Sequence, residues 1–136
     1  MTAEANKAVA RAFFDGFWRA DMAEARRYLA PGATFLMMPT VADHRVNDAV
    51  EALQRIIDTM FIGFDPEEGL NCEVTSIIAQ GDEVAMEYVA RARTRTGQRY
   101  ENYYSAHLTL KDGSITCLRT YADTAYLKAL LMTPSG

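Results

Sequence analysis

The chain has 136 residues, a length suited to one domain, with 49% apolar and 24% charged residues, the balance of an ordinary globular protein. A formal net charge of -4, with no basic patch and no block of like charge, argues against nucleic-acid binding and against a disordered tail. No apolar run approaches the ~18 residues of a membrane span, and MTAEANKAVA lacks the pattern of a signal peptide, so a cytoplasmic protein without membrane contact is expected.

Residues 4 to 19 carry apolar side chains at helical spacing. Val9, Ala12, Phe13, Gly16, Phe17 and Ala20 form the stripe, and Phe14 and Trp18 widen it. Asp21 followed by Glu24 matches a capping box and predicts a second, shorter helix through Leu29, stopped by Pro31-Gly32. ATFLMMP then reads as a short strand ended by Pro39, and TVADHRV as a loop. Asn47 can cap a third helix with an apolar stripe of Val50, Leu53, Ile56, Ile57 and Met60. After GFDPEEG the period becomes that of strands, over roughly 70–79, 83–94, 99–110 and 114–121, separated by short glycine-containing turns. Asp123-Thr124 can cap a last helix from Ala125 to about Met132. Helices first and strands later predict an α+β fold: one domain over 1–136, with helices against one side of a bent antiparallel sheet.

The segment MEYVARART poses the main choice. Met86, Tyr88, Ala90 and Ala92 share one face, and Glu87, Val89, Arg91 and Arg93 share the other. Either the first face is buried, or the second lines a polar pocket. A two-residue Thr96-Gly97 loop pairs Arg95 with Gln98, Arg91 with Asn102, Val89 with Tyr104 and Glu87 with Ala106. Two loop lengths fit LKDGS. A three-residue loop pairs Tyr104 with Thr120; a two-residue loop moves every later residue to the other face. Cys72 and Cys117 fall on well-separated strands and are expected as thiols. His44 and His107 have no metal-ligand spacing, so no metal and no cofactor are expected.

The stretch TGQRYENYYSAHLTLKDGSITCLRTYADT resembles the C-terminal half of the SnoaL-like branch of the nuclear-transport-factor-two-like superfamily, relatives of limonene-epoxide hydrolase and ketosteroid isomerase. RADMAEARRYLAPGATF resembles its helix-to-strand junction. The resemblance implies a cystatin-like cone, with a bent sheet wrapped around the N-terminal helices and a pocket inside. It also implies a homodimer through the convex sheet face. It favours the three-residue Lys111-Asp112-Gly113 loop and turns Glu87 and Val89 into the cone, leaving Met86, Tyr88 and Ala90 outside. The family's reactive groups are missing. The water-activating set of the epoxide hydrolases aligns with Phe35, Met37, Glu87, Val89 and Thr120. The isomerase set aligns with Met37, Phe13 and the neighbourhood of Ala106, and the cyclase base aligns with Thr120.

On this reading Glu87 is the candidate acid or base, its pKa raised by an apolar surround; its structural alternative is an ion pair with Arg91. Asn102 and Tyr104 would orient a ligand oxygen, or else bond the neighbouring strand. Phe13, Phe17, Trp18, Phe35, Met37, Val89 and Thr120 complete the predicted pocket, and His44, beside Asp43, lies near its mouth. His107 reads as an interface or surface residue, Arg119 and Tyr121 share its convex face, and Asp123 reads as a cap. The expected function is a pocket for a small hydrophobic molecule, with isomerase, cyclase or hydrolase-like activity through Glu87. A non-catalytic ligand-binding or scaffold dimer is the alternative.

Overall fold

The computed structural model describes residues 1–37 and 47–132, without the side chains of Met37 and Met132. Helix α1, Ala3–Trp18, begins where the Thr2 hydroxyl accepts the Ala5 N–H at 3.1 Å. Its stripe puts Ala10, Phe13, Phe14 and Phe17 in the core, each aromatic ring contributing about 1.5–3 kcal/mol by burial. Gly16 lets the next helix approach: a Cβ there would lie 3.1 Å from the Ala25 nitrogen. Asp21 caps that helix, α2 (Met22–Arg26), by accepting the Glu24 N–H at 3.0 Å, as the capping-box pattern predicts.

Strand β1, Leu29–Met37, starts earlier than predicted. Pro31-Gly32 sit inside it, at a register shift where Gly32 has φ +75°. Strand β2, Asn47–Asp48, leads into α3, Ala49–Thr59. The cap of α3 is Asp48 rather than Asn47, because the Asp48 carboxylate takes the Glu51 N–H at 3.0 Å. A 3-10 turn, Phe61–Gly63, precedes β3 (Asn71–Gln80), β4 (Glu83–Arg93), β5 (Arg99–Lys111) and β6 (Ser114–Ala122). The last helix is α4, Thr124–Leu127, capped by Asp123 as predicted and continued as a π turn over Lys128–Met132. No described helix is long and apolar enough to cross a membrane.

The sheet order is β2-β1-β6-β5-β4-β3. The predicted antiparallel meander is present from β3 to β6, but β1 joins it parallel to β6, so the sheet is mixed. Helix α1 packs across β3 and β4, and α3 packs on β1. The core lies between these helices and the inner sheet face.

The register overturns one sequence expectation. The β4–β5 turn holds three residues, Arg95 to Gly97. The Thr94 N–H donates to the Gln98 carbonyl at 2.8 Å, and the Gln98 N–H returns to the Thr94 hydroxyl at 3.0 Å. Gly97 takes φ +91°, which glycine adopts freely. One extra loop residue shifts the pairing by one, so Tyr88 faces Tyr104 and Ala90 faces Asn102. Met86, Tyr88 and Ala90 therefore point inward and are buried, while Glu87, Val89 and Arg91 point outward. Burying a tyrosine ring is favourable, and burying an unpaired carboxylate costs several kcal/mol, so packing and turn geometry agree.

The next turn has two residues, Asp112 and Gly113, at φ 51° and 80°. A register shift between Thr109 and Leu110 adds a second displacement. Ala106 therefore pairs with Thr120, and Tyr104 with Ala122. The loop is shorter than the resemblance suggested, yet Thr120 keeps its predicted inner face.

Two substitutions separate the registers. Tyr88→Glu should unfold the chain or remove at least about 3 kcal/mol, because it buries an unpaired charge under α1. Glu87→Ala should change stability by no more than about 0.5 kcal/mol. Denaturant melts read both, and the reverse ranking would refute the observed face.

Candidate functional site

Between the inner sheet face, α1, α3 and the C-terminal segment lies a narrow hollow with a free volume of about 50 Å³. Helices α1 and α3 supply aromatic and aliphatic walls: Phe14, Phe17 and Trp18 from α1, Leu53 and Ile56 from α3. Met60, Phe61, Phe64 and Leu70 close one side. Leu127 and Leu131 close another. Phe35 of β1 and Leu118 of β6 complete the apolar lining.

The polar lining comes from alternate sheet positions: Cys72, Tyr88, Tyr100, Tyr104 and Thr120. All are neutral groups. Among the described residues, no carboxylate, imidazole, ammonium or guanidinium lines the hollow. Tyr88 and Tyr104 face each other across β4 and β5 with rings parallel within 3° and centroids 5.0 Å apart. Phe14 and Trp18 cover Tyr88 from α1, at 5.4 and 4.9 Å. Burial raises the Tyr88 and Tyr104 phenols far above the usual tyrosine value. A hydrogen bond from Trp18 offsets part of this at Tyr88. Tyr100 is also raised by burial, offset in part by its hydrogen bonds with Tyr104 and Asn102. Burial pushes the Cys72 thiol up to about 12, so it remains an S–H at neutral pH.

Asn102, 1% exposed, sits behind this lining. Its Oδ1 accepts the Tyr103 N–H at 2.9 Å, and its Nδ2 donates to the Asp123 carbonyl at 3.2 Å and to the Tyr100 oxygen at 3.1 Å. The Tyr100 and Tyr104 hydroxyls meet at 2.5 Å. The Tyr126 hydroxyl accepts the Glu101 N–H and donates to the Arg99 carbonyl, which holds α4 against β5 beside Tyr100.

Of the predicted site residues, Phe17, Trp18, Phe35, Tyr104 and Thr120 line the hollow. Phe13 is fully buried behind the lining, and Asn102 acts through Tyr100. Glu87, Val89 and Arg91 lie on the other sheet face. Glu87 is exposed, Val89 is buried opposite Tyr103, and Arg91 bonds Glu73 and Glu101 at 2.9 and 3.0 Å rather than Glu87. The carboxylate proposed as acid or base is therefore outside the cone. Met37's side chain, His44 and the Asp43-His44 pair lie outside the described residues. Sequence reasoning missed Tyr88, Tyr100 and Cys72. The apolar alternation Met86, Tyr88, Ala90 carried the signal for Tyr88; nothing local marks Tyr100 or Cys72 as pocket residues. Among the described residues, no three His, Cys, Asp or Glu side chains gather.

The family model described as a SnoaL-like domain matches residues 10–118. No curated protein matches the sequence. Solved structures share the fold at low identity. A candidate SnoaL-like polyketide cyclase from Jannaschia sp. CCS1 is 19% identical, with a TM-score of 0.78 over 97% of this chain and 94% of its own. IdmH, a candidate polyketide cyclase from Streptomyces antibioticus, is 22% identical, with a TM-score of 0.73 over 94% and 99%. An LEH-like epoxide hydrolase from M. tuberculosis is 16% identical, with a TM-score of 0.70 over 96% and 91%.

The buried acids set a pH dependence. The folded chain holds the protons of Cys72, Tyr88, Tyr100 and Tyr104 beyond the pH at which the unfolded chain releases them. Their contribution is whole below the ordinary thiol value of 9.0 and is lost as pH climbs toward about 12. Denaturation midpoints should fall steadily from about pH 9 upward. Phenolate absorbance from these three tyrosines should rise only as circular dichroism reports unfolding.

Proposed function

The chain belongs to the SnoaL-like domain family, and on that premise we propose that its hollow binds a small hydrophobic molecule and holds one polar end of it against the inner tyrosines. The carrying observation is the lining itself: aromatic and aliphatic walls with a few neutral hydrogen-bonding groups gathered on β3 to β6. Apolar area supplies affinity, and the phenols supply orientation. A charged ligand body would lose its hydration without gaining a counter-charge from the described lining.

A second reading gives the same hollow an isomerase, cyclase or hydrolase-like reaction. Tyr104 favours it, since a buried hydroxyl can polarise a carbonyl and stabilise negative charge developing on its oxygen. Glu87 has no part in either reading, because it is exposed on the opposite face. The outer face carries the exposed rings of Tyr103 (65%) and Tyr121 (43%), beside the His107–Glu83 pair at 2.7 Å. These rings support a homodimer through this face. Free Cys72 and Cys117 suit a reducing compartment, and the reading places the protein in the cytoplasm.

Native mass spectrometry of the purified protein should recover a neutral, hydrophobic molecule bound one per chain. Ala90→Phe, which extends a ring into the hollow from β4, should abolish binding while leaving the circular dichroism spectrum unchanged; undiminished binding would refute the site. Sedimentation should show a dimer, and Tyr103→Glu with Tyr121→Glu should convert it to a monomer that still binds.

A further inference from the structure

The hydrogen bonds behind the hollow have a direction that can be read from their ends. Asn102 cannot be turned end for end. Its Oδ1 faces a backbone N–H, that of Tyr103, which can only donate. Its Nδ2 faces the Asp123 carbonyl, which can only accept. The second Nδ2 proton therefore goes to the Tyr100 oxygen, 3.1 Å away. Tyr100 is 1% exposed, and its own proton needs an acceptor. Among the described residues, the Tyr104 oxygen at 2.5 Å is the acceptor it meets. In the opposite arrangement, with Tyr104 donating to Tyr100, the proton left over would sit on Tyr100, the more deeply buried of the two rings, whereas the partly exposed Tyr104 is the better placed to present one. Once Tyr104 accepts from Tyr100, its own proton is left to point away from that bond. Tyr104 lines the hollow, so its O–H is presented to whatever lies there.

We infer that Asn102 polarises the chain from the Asp123 end through Tyr100 to Tyr104, so that the hollow offers a hydrogen-bond donor and selects hydrophobic ligands carrying a carbonyl-type acceptor. The inference rests on the ligand-binding reading above and deepens it by naming the ligand's polar group. Asn102 is a positioning residue, since it does not line the hollow and acts only through Tyr100. The chain is short, uncharged and buried, so its direction is not scrambled by solvent. A ligand ending in a pure donor, such as an indole N–H, would leave the Tyr104 proton unused and reach only that oxygen's remaining lone pair, so it gains less from Tyr104.

The test uses two matched probes, 2-acetylnaphthalene and 2-isopropylnaphthalene, which differ in the carbonyl. Affinities are measured by fluorescence, and the carbonyl stretch of the bound ketone by infrared spectroscopy. In the wild-type protein the stretch should lie below its value in an alkane solvent. Tyr104→Phe should weaken the ketone about tenfold and leave the hydrocarbon within about twofold. Asn102→Asp replaces the N–H donor by an acceptor at the same place, which invites the Tyr100 proton back toward residue 102. It should also weaken the ketone and return the stretch toward the alkane value, although Tyr104 is still present. A ketone stretch unshifted in the wild type, or wild-type ketone affinity and stretch in Asn102→Asp, overturns the inference. The wild-type spectrum decides the donor direction even if a variant does not fold. Failure of the hydrocarbon to bind the wild-type protein would instead sink the ligand-binding reading itself.

Discussion

The left-handed residue at Gly97 governs this structure. It permits a three-residue turn between β4 and β5, and the turn's odd length decides which alternate residues of eleven-residue β4 enter the cone. Tyr88 then stacks on Tyr104, Trp18 and Phe14 close over it, and Asn102 comes level with Ala90 behind the hollow. A two-residue turn would exchange that apolar face for Glu87, Val89 and Arg91. Every feature of the candidate site is downstream of this parity, because strands alternate and have no intermediate orientation.

The same parity divides the protein's chemistry between two surfaces. Charge collects outside, where Arg91 bridges Glu73 and Glu101, and Glu83 receives His107 and Thr109. Around the hollow, the polar groups of the described residues are three phenols, a thiol, the Thr120 hydroxyl and, behind them, the Asn102 amide, each held without a formal charge. A hollow built in this way discriminates by hydrogen-bond direction and shape rather than by ion pairing. Tyr100 and Tyr104 are four positions apart on one strand, and Asn102 lies between them on the same face, so a single β-strand lays out the whole polar line.

Much of this was legible in the chain. The α1 stripe, the Asp21–Glu24 cap, the Asp123 cap and the glycine-containing turns have local physical causes and appear where those causes place them. Strand β1 was harder, because its parallel partner β6 lies some eighty residues further along the chain, at Thr34 against Cys117. Loop length was not legible, since the Arg95–Gly97 turn depends on whether the Thr94 hydroxyl captures the Gln98 N–H. The LKDGS turn shows the opposite case: its residues fit two loop lengths and the family resemblance favours the longer, yet the two-residue turn with a compensating shift near Thr109 keeps Thr120 inside. At Tyr88 the plain period-two pattern pointed the right way, and the alignment to a distant family pointed the wrong way. Burial of an apolar face is a constraint on this chain itself, whereas an aligned position inherits its direction from another protein's loops.

The pairing of β1 with β6 ties the first strand of the sheet to the last one made. During synthesis, the edge of Leu29–Met37 has no neighbour to its β6 side until Ser114–Ala122 has left the ribosome. A nascent chain that stops short of that point carries a bare strand edge and an unroofed hollow, the kind of surface that chaperones cover and other chains add to. Assembly of the sheet thus waits for β6, and a product truncated before that strand would be a sticky fragment rather than a smaller working protein.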